Sequence, residues 1–400
     1  MSTLKPDQQE EGLDKYRKGG FHPVRLGELY SSKYKVLRKL GYGRYSTVWL
    51  VRNQDDQRFW AMKVLSAECY GAGADIFELE ILRHLRNADI EHPGHKYISS
   101  LEDSFTHEGP NGSHVCLIFK VMGENLSTFR YWFGNSLILS PVAARFATQL
   151  LQALDYAHTC GVIHTDIQPN NIMVQIPDES LINRYLESTL SDTSDLQLSP
   201  EDSAEYETIP TQSLRDFYLP DDHFNVMTVD IALSDWGVAS WASEHLTELI
   251  QPVLLRSPEV MIQEPWGPST DIWNLGAVVP EFIYGQSMFS GKTEAKVYNS
   301  TRHLEEMNRL LGPFPRELLL KGNTTLVEDA FDGNGNIKEP KMTSFVGLDV
   351  RYANLEDDEK EEFTAFTKAL LELNPEKRKS AKELLGEAWL HHPWEGKVQA

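Results

Sequence analysis

The strongest chemical signal in the sequence comes from two carboxylates and one amide in separate stretches. Asp166 and Asn171 lie in Ile163-His-Thr-Asp-Ile-Gln-Pro-Asn-Asn-Ile-Met173, and Asp235 follows an apolar run in Leu233-Ser-Asp-Trp-Gly237. A positioned carboxylate can accept the proton of a hydroxyl group, and carboxylate and amide oxygens are the ligands that Mg²⁺ prefers. We therefore predict Asp166 as a base and Asn171 and Asp235 as metal ligands.

A glycine-rich turn and a lysine in an apolar run form a second group, one suited to phosphate. Leu40-Gly-Tyr-Gly-Arg-Tyr-Ser-Thr-Val48 places Gly41 and Gly43 between predicted strands, where backbone N–H groups can approach phosphate oxygens because no Cβ intervenes. Lys63 lies within Phe59-Trp-Ala-Met-Lys-Val-Leu65. Because an ammonium group in an apolar strand is costly to bury without an anion, we expect Lys63 to face a phosphate.

A carboxylate partner for Lys63 is expected on the helix that follows. The segment from Ile76 to Leu85 has the apolar spacing of a helix, and both Glu78 and Glu80 lie within it. We predict that Glu80 is the partner, because it stands one residue before the apolar Ile-Leu-x-x-Leu stripe. Glu78 is the competing candidate.

The elements that must position these residues change in type along the chain. Residues 34–65 alternate in the manner of an antiparallel meander, and Asn111-Gly112 is a hairpin turn. Farther on, Pro141 at the first position and Gly161 at the stop bound a helix, and another is predicted over about residues 270–284. The pattern predicts an α+β fold of two lobes, a small antiparallel β-sheet lobe with one main helix and a larger helical lobe.

The same patterns predict the domain boundaries. The acidic, Ser-, Thr- and Pro-containing stretch before Asp235 is typical of a mobile insertion. The predicted segments are a mobile N-terminal tail over residues 1–33, a first lobe over 34–122 with a hinge at 120–122, a second lobe over 123–394 containing the insertion at 178–225, and a C-terminal tail over 395–400.

Composition narrows the class of partner. The formal net charge of −21 repels the phosphates of nucleic acid, so we expect no direct nucleic-acid partner. That charge fits either plain solubility or a surface that attracts basic partners. No apolar run reaches the length of a bilayer span, so no membrane partner is expected. Cys69, Cys116 and Cys160 form no Cys-x-x-Cys pair, which favours small apolar roles in a reducing compartment.

The order of these motifs resembles the protein kinase superfamily over residues 34–394. The motifs are Gly-x-Gly, Ala-Met-Lys63, Glu80, His164-Thr-Asp, Asn171, Asp235-Trp-Gly, Ser257-Pro-Glu, Asp271-Ile-Trp-Asn-Leu-Gly276 and Arg378. Within the superfamily the chain resembles the SR-protein kinases of the CMGC group. That resemblance is carried by Asn111-Gly-Ser-His-Val-Cys116, His164-Thr-Asp, the acidic insertion before Asp235, Arg256 before Ser257-Pro-Glu, and Trp389-Leu-His-His-Pro-Trp394.

The resemblance implies a serine/threonine protein kinase that uses ATP and Mg²⁺ to phosphorylate basic Arg/Ser-rich proteins. It also implies a monomer that is located in the cytoplasm and the nucleus. The positions that it assigns to catalysis are Asp166, Lys63, Glu80 and Gln168, and those that it assigns to the metal are Asn171 and Asp235. The nucleotide contacts that it implies are Leu40, Gly41, Gly43, Val48, Ala61, Lys63, Phe119, Lys120, Val121, Met122 and Met173. It also implies a buried Glu259–Arg378 ion pair and a brace of the catalytic loop by Asp271.

Four positions depart from the family pattern. Gln168 stands where serine/threonine kinases usually have a lysine, and the lost charge should slow phosphate transfer. Trp236 replaces the usual Phe or Leu, and Ser46 replaces the third glycine of the loop. Thr165 replaces the arginine that reads a phosphate on the activation segment, so we expect full activity without such a phosphate.

Two other functions remain open on the sequence alone. Gln168 and Ser46 would fit a pseudokinase, an ATP-binding scaffold without phosphotransfer, although the base, the lysine and both metal ligands are intact. The stretch from His303 to Gly312 partly matches the Glu-His-Leu-Ala motif of dual-specificity kinases in the same group.

Overall fold

The computed structural model of the chain describes residues 10–71, 76–176, 178–189, 206–214, 226–341 and 347–394. They form two compact units. Described residues within Met1–Arg83, Ser99–Glu124 and Met173–Val229 belong to a sheet unit, and those within His84–Ile98, Asn125–Ile172 and Asp230–Ala400 to a helical unit. The predicted α+β fold with a sheet lobe and a helical lobe is confirmed.

The sheet unit is built on a six-stranded antiparallel sheet in the order β1-β2-β3-β4-β6-β5. Its strands are β1 (Leu29–Tyr30), β2 (Tyr34–Tyr42), β3 (Ser46–Asn53), β4 (Phe59–Leu65), β5 (Leu101–Gly109) and β6 (Gly112–Phe119). Trp49, Met62 and Ile118 are opposite one another in the register and fully buried. Because side chains alternate along a strand, Val48 and Lys63 lie together on the other face.

Residues ahead of β2 are packed against the sheet, which corrects the predicted mobile tail for residues 10–33. Val24 and Tyr30 are fully buried in the cluster that contains Trp49 and Met62. The buried ammonium of Lys39 lies 2.7 Å from a carboxylate oxygen of Glu10. This segment was missed because its apolar residues are few and its charges are neutralised by distant parts of the chain.

Part of the predicted insertion is also ordered, and it belongs to the sheet unit rather than to the helical lobe. Helix α4 (Ser180–Thr189) buries Ile182 and Tyr185 in one cluster with Leu50 and Val121. Residues 190–205 and 215–225 of the insertion lie outside the described residues. The sequence analysis did not predict this helix, because only one face of α4 is apolar and the surrounding acidic composition is typical of a mobile segment.

The helical unit is organised around two long helices. The two are α3 (Ser140–Thr159) and α6 (Ser269–Tyr284). The other helices of this unit are α2 (Leu126–Phe129), α5 (Pro258–Met261), α7 (Ser300–Leu311), α8 (Arg316–Leu319), α9 (Thr324–Ala330), α10 (Leu348–Arg351), α11 (Asp357–Leu370) and α12 (Ala381–Leu384). As predicted, α3 stops before Gly161, whose φ of 72° is the left-handed conformation that glycine adopts readily. No described helix is both long and apolar enough to cross a bilayer.

The remaining elements are short, except for one helix. They are α1 (Glu78–Asn87), which begins in the sheet unit, and the strands β7 (Met122–Asn125), β8 (Val162–Ile163), β9 (Ile172–Gln175), β10 (Ile231–Leu233) and β11 (Ser240–Trp241). Strand β8 pairs with β11 in an antiparallel ribbon within the helical unit.

The predicted ion pair between Glu259 and Arg378 is present and completely buried. Both carboxylate oxygens of Glu259 accept hydrogen bonds from the guanidinium, at 2.8 and 3.1 Å, and the guanidinium also lies over the Trp273 ring. Such a bidentate pair satisfies both charges where water cannot reach them.

The His303 motif that suggested a dual-specificity kinase serves the core of the helical unit. His303 lies on α7 and is fully buried, with its ring centroid 5.2 Å from that of Phe289 and its Nδ1 3.3 Å from the Tyr298 hydroxyl. Burial, together with a smaller contribution from the positive charge of Arg256, lowers the pKa of His303 to about 4. The ring is therefore neutral at physiological pH.

This buried histidine predicts a loss of stability on acidification. The pKa of His303 is about 4 when folded and 6.5 when exposed, so the unfolded chain takes up the proton first as the pH falls below 6.5. The contribution to the free energy of unfolding, about 3 kcal/mol, should be present above pH 6.5 and lost as the pH falls towards 4. Urea unfolding of His303→Phe should show a flatter pH dependence over this window than the parent protein. His391→Gln is the control, and equal slopes for the parent and His303→Phe would contradict the assignment.

Candidate active site

The predicted phosphate-binding residues of the sheet unit share one face of the sheet. Gly41 is opposite Val48, Val48 is opposite Lys63, and Ala61 is opposite Phe119 in the strand register. Because directly paired residues project to the same side, the register aligns these side chains over three neighbouring strands. A Cβ added to Gly41 would meet no described atom within 4 Å, so the turn leaves open space there.

The other predicted nucleotide contacts lie around this face. The amide of Gly43 donates to the Ser46 carbonyl at 2.8 Å and closes the turn between β2 and β3. Residues 120–122 form the connection from β6 to β7, in which Lys120 is exposed, Val121 buried and Met122 half-buried. Leu40 packs against the cluster that contains Val121, and Met173 lies half-buried on β9.

The carboxylate that pairs with Lys63 is Glu78, and the prediction of Glu80 is wrong. The Lys63 ammonium lies 2.6 Å from Oε1 of Glu78, and the Glu78 side chain is only 2% exposed. Glu80 is exposed and accepts a hydrogen bond from the Tyr70 hydroxyl instead.

The correction follows from helix geometry. Two residues along a helix turn the side chain by about 200°, so Glu78 and Glu80 face opposite directions. The buried face of α1 carries Glu78, Ile81, Leu82 and Leu85, with spacings of three and four residues. Glu78 belongs to that stripe and Glu80 does not, and this spacing is the sequence signal that would have identified Glu78 as the partner of Lys63.

In the helical unit, Asp271 holds the loop that carries the predicted base. Its carboxylate is fully buried and accepts hydrogen bonds from the backbone N–H groups of His164 and Thr165, at 2.8 and 2.9 Å. His158 lies 2.9 Å from the same carboxylate. Thr165 has φ of 66°, a strained conformation for a threonine, so the loop depends on this brace. The role that the sequence resemblance gave Asp271 is confirmed.

Two side-chain amides orient the carboxylate of Asp166. Nε2 of Gln168 donates to both of its oxygens, each at 2.9 Å. Nδ2 of Asn171 donates to Oδ2 at 2.7 Å and to the Asp166 carbonyl at 2.8 Å. Burial raises the pKa of Asp166, and the Asp235 carboxylate acts in the same direction, while these hydrogen bonds oppose the shift. The arrangement fixes a carboxylate that accepts a proton in a defined direction.

The residues present fit a divalent cation with oxygen ligands. Because the Asn171 amide nitrogen is engaged with Asp166, its carbonyl oxygen is the end directed elsewhere. Ser234 donates its backbone N–H and its hydroxyl to the backbone carbonyl of Asn171, which leaves the side-chain carbonyl uninvolved and places Asp235 next to Asn171. Asp235 is exposed and has φ of 62°. One carboxylate and one amide oxygen are the hard donors that suit Mg²⁺.

The segment after Asp235 is tied to this loop by two residues that depart from the family pattern. The Thr165 hydroxyl donates to the Val238 carbonyl at 2.8 Å. Trp236 is buried, and its ring meets that of His164 edge to face at 4.7 Å. His164 in turn has Nε2 3.0 Å from the Ser234 carbonyl and Nδ1 within reach of the Asp166 N–H. The volume of Trp236 is accommodated by this packing.

A family profile described as "Protein kinase domain" matches residues 34–183 and 222–390. A serine/threonine-protein kinase SRPK of Physarum polycephalum is 32% identical over 97% of this chain and 92% of that protein. Protein kinase dsk1 of Schizosaccharomyces pombe is 28% identical over 95% and 85%, and SRSF protein kinase 3 of Mus musculus is 25% identical over 96% and 91%. A crystal structure of a kinase domain has a TM-score of 0.67 at 22% identity, covering 92% of this chain and 98% of that one, which shows the fold.

The two glutamates of α1 provide a matched pair of variants. Glu78→Gln removes the carboxylate that holds Lys63 and should lower kcat/KM for ATP turnover by about a hundredfold, the usual effect of losing one positioned charge. Glu80→Gln changes an exposed group on the opposite side of the helix and should stay within about twofold of the parent protein. Steady-state kinetics of both variants decide the assignment, and a larger loss in Glu80→Gln would reverse it.

Proposed function

This chain belongs to the protein kinase family and, within it, to the SR-protein kinases, and from that premise we propose that it transfers the γ-phosphate of ATP to serine in Arg/Ser-rich proteins with Mg²⁺ as its metal. The observation that carries the proposal is the Asp166 carboxylate, which Gln168 and Asn171 hold in one orientation. In that orientation Asp166 accepts the proton of the attacking serine hydroxyl.

The other residues bind and orient the phosphates. Lys63, held by Glu78, offers an ammonium group to phosphate oxygens, and the turn around Gly41 offers backbone N–H groups. Asn171 and Asp235 would hold Mg²⁺, which supplies positive charge beside the phosphates when it is bound. Gln168 keeps a hydrogen-bond donor beside Asp166 but brings no charge.

These contacts favour a kinase over a pseudokinase. A pseudokinase needs a residue of the phosphate-transfer machinery to be lost or misplaced, whereas Asp166 keeps its amide partners and Lys63 keeps its carboxylate partner, Glu78. Gln168 and Ser46, the two departures that raised the alternative, leave these groups in position. Gln168 contacts the base directly, and Ser46 is buried at the start of β3.

Preference for arginine-rich substrates is supported by charge and by a cleft in the helical unit. The cleft, of about 710 Å³, lies between α7, α9 and neighbouring loops. Its charged lining residues are the acidic Glu294, Glu305, Asp329 and Glu339 and the basic Arg302, Lys338 and Lys341. Arg302 is paired with Glu305 at 2.7 Å, and the Lys338 ammonium donates to the Glu328 carbonyl. Glu294, Asp329 and Glu339 are exposed, so they can bind guanidinium groups.

The acidic run 356–362 has a structural explanation instead. Asp357, Asp358 and Glu359 occupy the first turn of α11, where negative charge is favourable next to the helix N-terminus. In the insertion, Asp178 accepts from the Ser180 amide at 2.9 Å, and Glu179 pairs with Arg58 at 3.1 Å. Local structure therefore explains the carboxylates in the first turn of α11 and those of Asp178 and Glu179.

A peptide phosphorylation assay tests the proposed substrate. With radiolabelled ATP and Mg²⁺, an Arg/Ser-repeat peptide should be phosphorylated far better than a Glu/Ser peptide at low salt. Because salt screens attraction between charges over about 8–10 Å, KM for the Arg/Ser peptide should rise with salt while kcat changes little. Asp235→Ala, Asp166→Asn and Lys63→Met should each lower kcat by orders of magnitude. ATP binding without transfer to either peptide would indicate a pseudokinase.

A matched pair of charge variants locates the arginine-binding surface. The triple change Glu294→Gln, Asp329→Asn, Glu339→Gln should raise KM for the Arg/Ser peptide and leave kcat unchanged. The control triple change Asp357→Asn, Asp358→Asn, Glu361→Gln removes the same charge from the α11 run and should have a smaller effect. Equal effects would mean that overall charge, not the cleft, attracts the substrate. Equal kcat/KM for Arg/Ser and Glu/Ser peptides in the parent protein would remove the substrate proposal altogether.

Independence from activation-segment phosphorylation follows from the Thr165–Val238 hydrogen bond. A neutral hydroxyl already fastens the segment, and Thr165 offers no cation for a phosphate. Protein made in bacteria and treated with phosphatase should therefore be as active as untreated protein. Thr165→Val should lower kcat several-fold, because it removes one buried hydrogen bond while keeping the shape, worth about 1 kcal/mol. A large gain in activity upon phosphorylation by another kinase would contradict this prediction.

A further inference from the structure

A cluster of histidines lies in the sheet unit, where the segment ahead of β1 meets the edge strand β5. His22, Glu28 and His107 each bring one ligand-type atom into a group whose members all lie within 4.8 Å of one another. None of the three belongs to the motifs of the proposed kinase site.

His22 is the least expected member of this cluster. The side chain is only 4% exposed, and neither Nδ1 nor Nε2 has a hydrogen-bond partner among the described residues. A buried polar atom without a partner is costly, because it has given up its hydrogen bonds to water. Two such atoms on one ring indicate a missing partner, and a metal ion bound to one nitrogen would supply it.

The backbone around His22 leaves room for its ring. A Cβ added to Gly109, at the end of β5, would lie 2.2 Å from Nδ1 of His22. The absence of a side chain at Gly109 is therefore needed to bring His22 next to His107, whose ring centroid is 4.6 Å away.

The other two members are oriented for ligation. Oε2 of Glu28 accepts hydrogen bonds from the Arg25 amide at 3.0 Å and from the Tyr30 hydroxyl at 3.1 Å, which fixes the carboxylate. Partners of this kind commonly orient the ligands of a metal. His107 is half-buried on β5, so the cluster is reachable from solvent on that side.

A third histidine adjoins the cluster. His114 is opposite His107 in the register of β5 and β6, and its ring lies 5.0 Å from that of His22. Its Nδ1 is 2.9 Å from the Leu65 carbonyl, which makes Nδ1 the donor and leaves a lone pair on Nε2. Nε2 of His114 is buried and has no described partner.

We propose that His22, His107 and Glu28 form a binding site for a divalent transition-metal ion of the zinc type, with His114 beside it. Two imidazoles and a carboxylate are a known three-residue set for Zn²⁺, in which a fourth ligand completes a tetrahedron. Zinc ligands at 2.0–2.1 Å from the ion lie about 3.3 Å apart, so the ligand atoms, now within 4.8 Å of one another, must converge by up to about 1.5 Å. Hard, oxygen-preferring Mg²⁺ does not suit this site.

The bound ion would join two parts of the sheet unit that are distant in sequence. His22 and Glu28 both lie in the segment ahead of β1, and His107 lies on β5, the strand at the opposite edge of the sheet in the strand order. An ion that binds only the folded chain stabilises it by mass action. The site would therefore fasten the segment ahead of β1 independently of catalysis.

Metal titration of the full chain tests the proposal. Chelator-treated protein, kept in excess Mg²⁺ to occupy oxygen-ligand sites, is titrated with Zn²⁺ by calorimetry and with Co²⁺ by visible absorption. We expect one ion per chain, the absorption of four-coordinate Co²⁺, and a rise in Tm with Zn²⁺. His107→Gln and Glu28→Gln should each weaken Zn²⁺ binding at least tenfold and abolish the Co²⁺ absorption.

The control variant is His391→Gln, which removes a histidine of the helical unit and should leave the titration unchanged. His107 is half-buried, so His107→Gln should fold, and its circular dichroism and Tm without metal verify this. No binding in the parent protein, or binding that His107→Gln and Glu28→Gln leave unaltered, would overturn the proposal. In the first case the cluster is an aromatic core of neutral imidazoles, and in the second the ion binds elsewhere on the surface.

Discussion

The loop of the helical unit that carries Asp166 depends on one buried carboxylate, that of Asp271. Asp271 accepts the N–H groups of His164 and Thr165 and so holds Thr165 in a conformation with φ of 66° that it would otherwise avoid. From this fixed point the chain presents Asp166 to its two amide partners and the Thr165 hydroxyl to Val238. A carboxylate with no exposed surface is stable there because backbone donors and His158 satisfy it.

The neutral Gln168 shows how a charge can be lost while geometry is kept. Its amide nitrogen donates to both oxygens of Asp166, so the carboxylate is still oriented by a donor at this position. What is lost is a positive charge beside the phosphate; under the proposed function, stabilisation of the transition state falls to Lys63 and to the Mg²⁺ that Asn171 and Asp235 would hold. A side chain at this position can orient Asp166 and can also supply positive charge. Gln168 does only the first.

Two long-range contacts were predicted correctly from the resemblance to protein kinases, whereas contacts that depend on how this particular chain packs were not. The Glu259–Arg378 pair and the Asp271 brace of His164 were implied by the resemblance to protein kinases, although their members lie 119 and 107 residues apart. The choice between Glu78 and Glu80 required the rotation of α1 to within one residue, and the prediction took the glutamate beside the apolar stripe instead of the one on it at a spacing of three and four residues. Lys39 marks the limit: its partners are Glu10, Glu11 and the Ile209 carbonyl, and no local pattern connects residues so far apart.

Long-range packing also attaches the first helix of the insertion, α4, to the sheet unit, which carries the predicted nucleotide contacts. Ile182 and Tyr185 of α4 pack with Val121, in the connection from β6 to β7, and with Leu40, at the start of the glycine-rich turn. Both Leu40 and Val121 are predicted nucleotide contacts. Because close-packed side chains share their contacts, α4, the turn and the connection form one packed cluster. An acidic segment that looked like a surface appendage in the sequence thereby becomes part of the frame around the proposed ATP site.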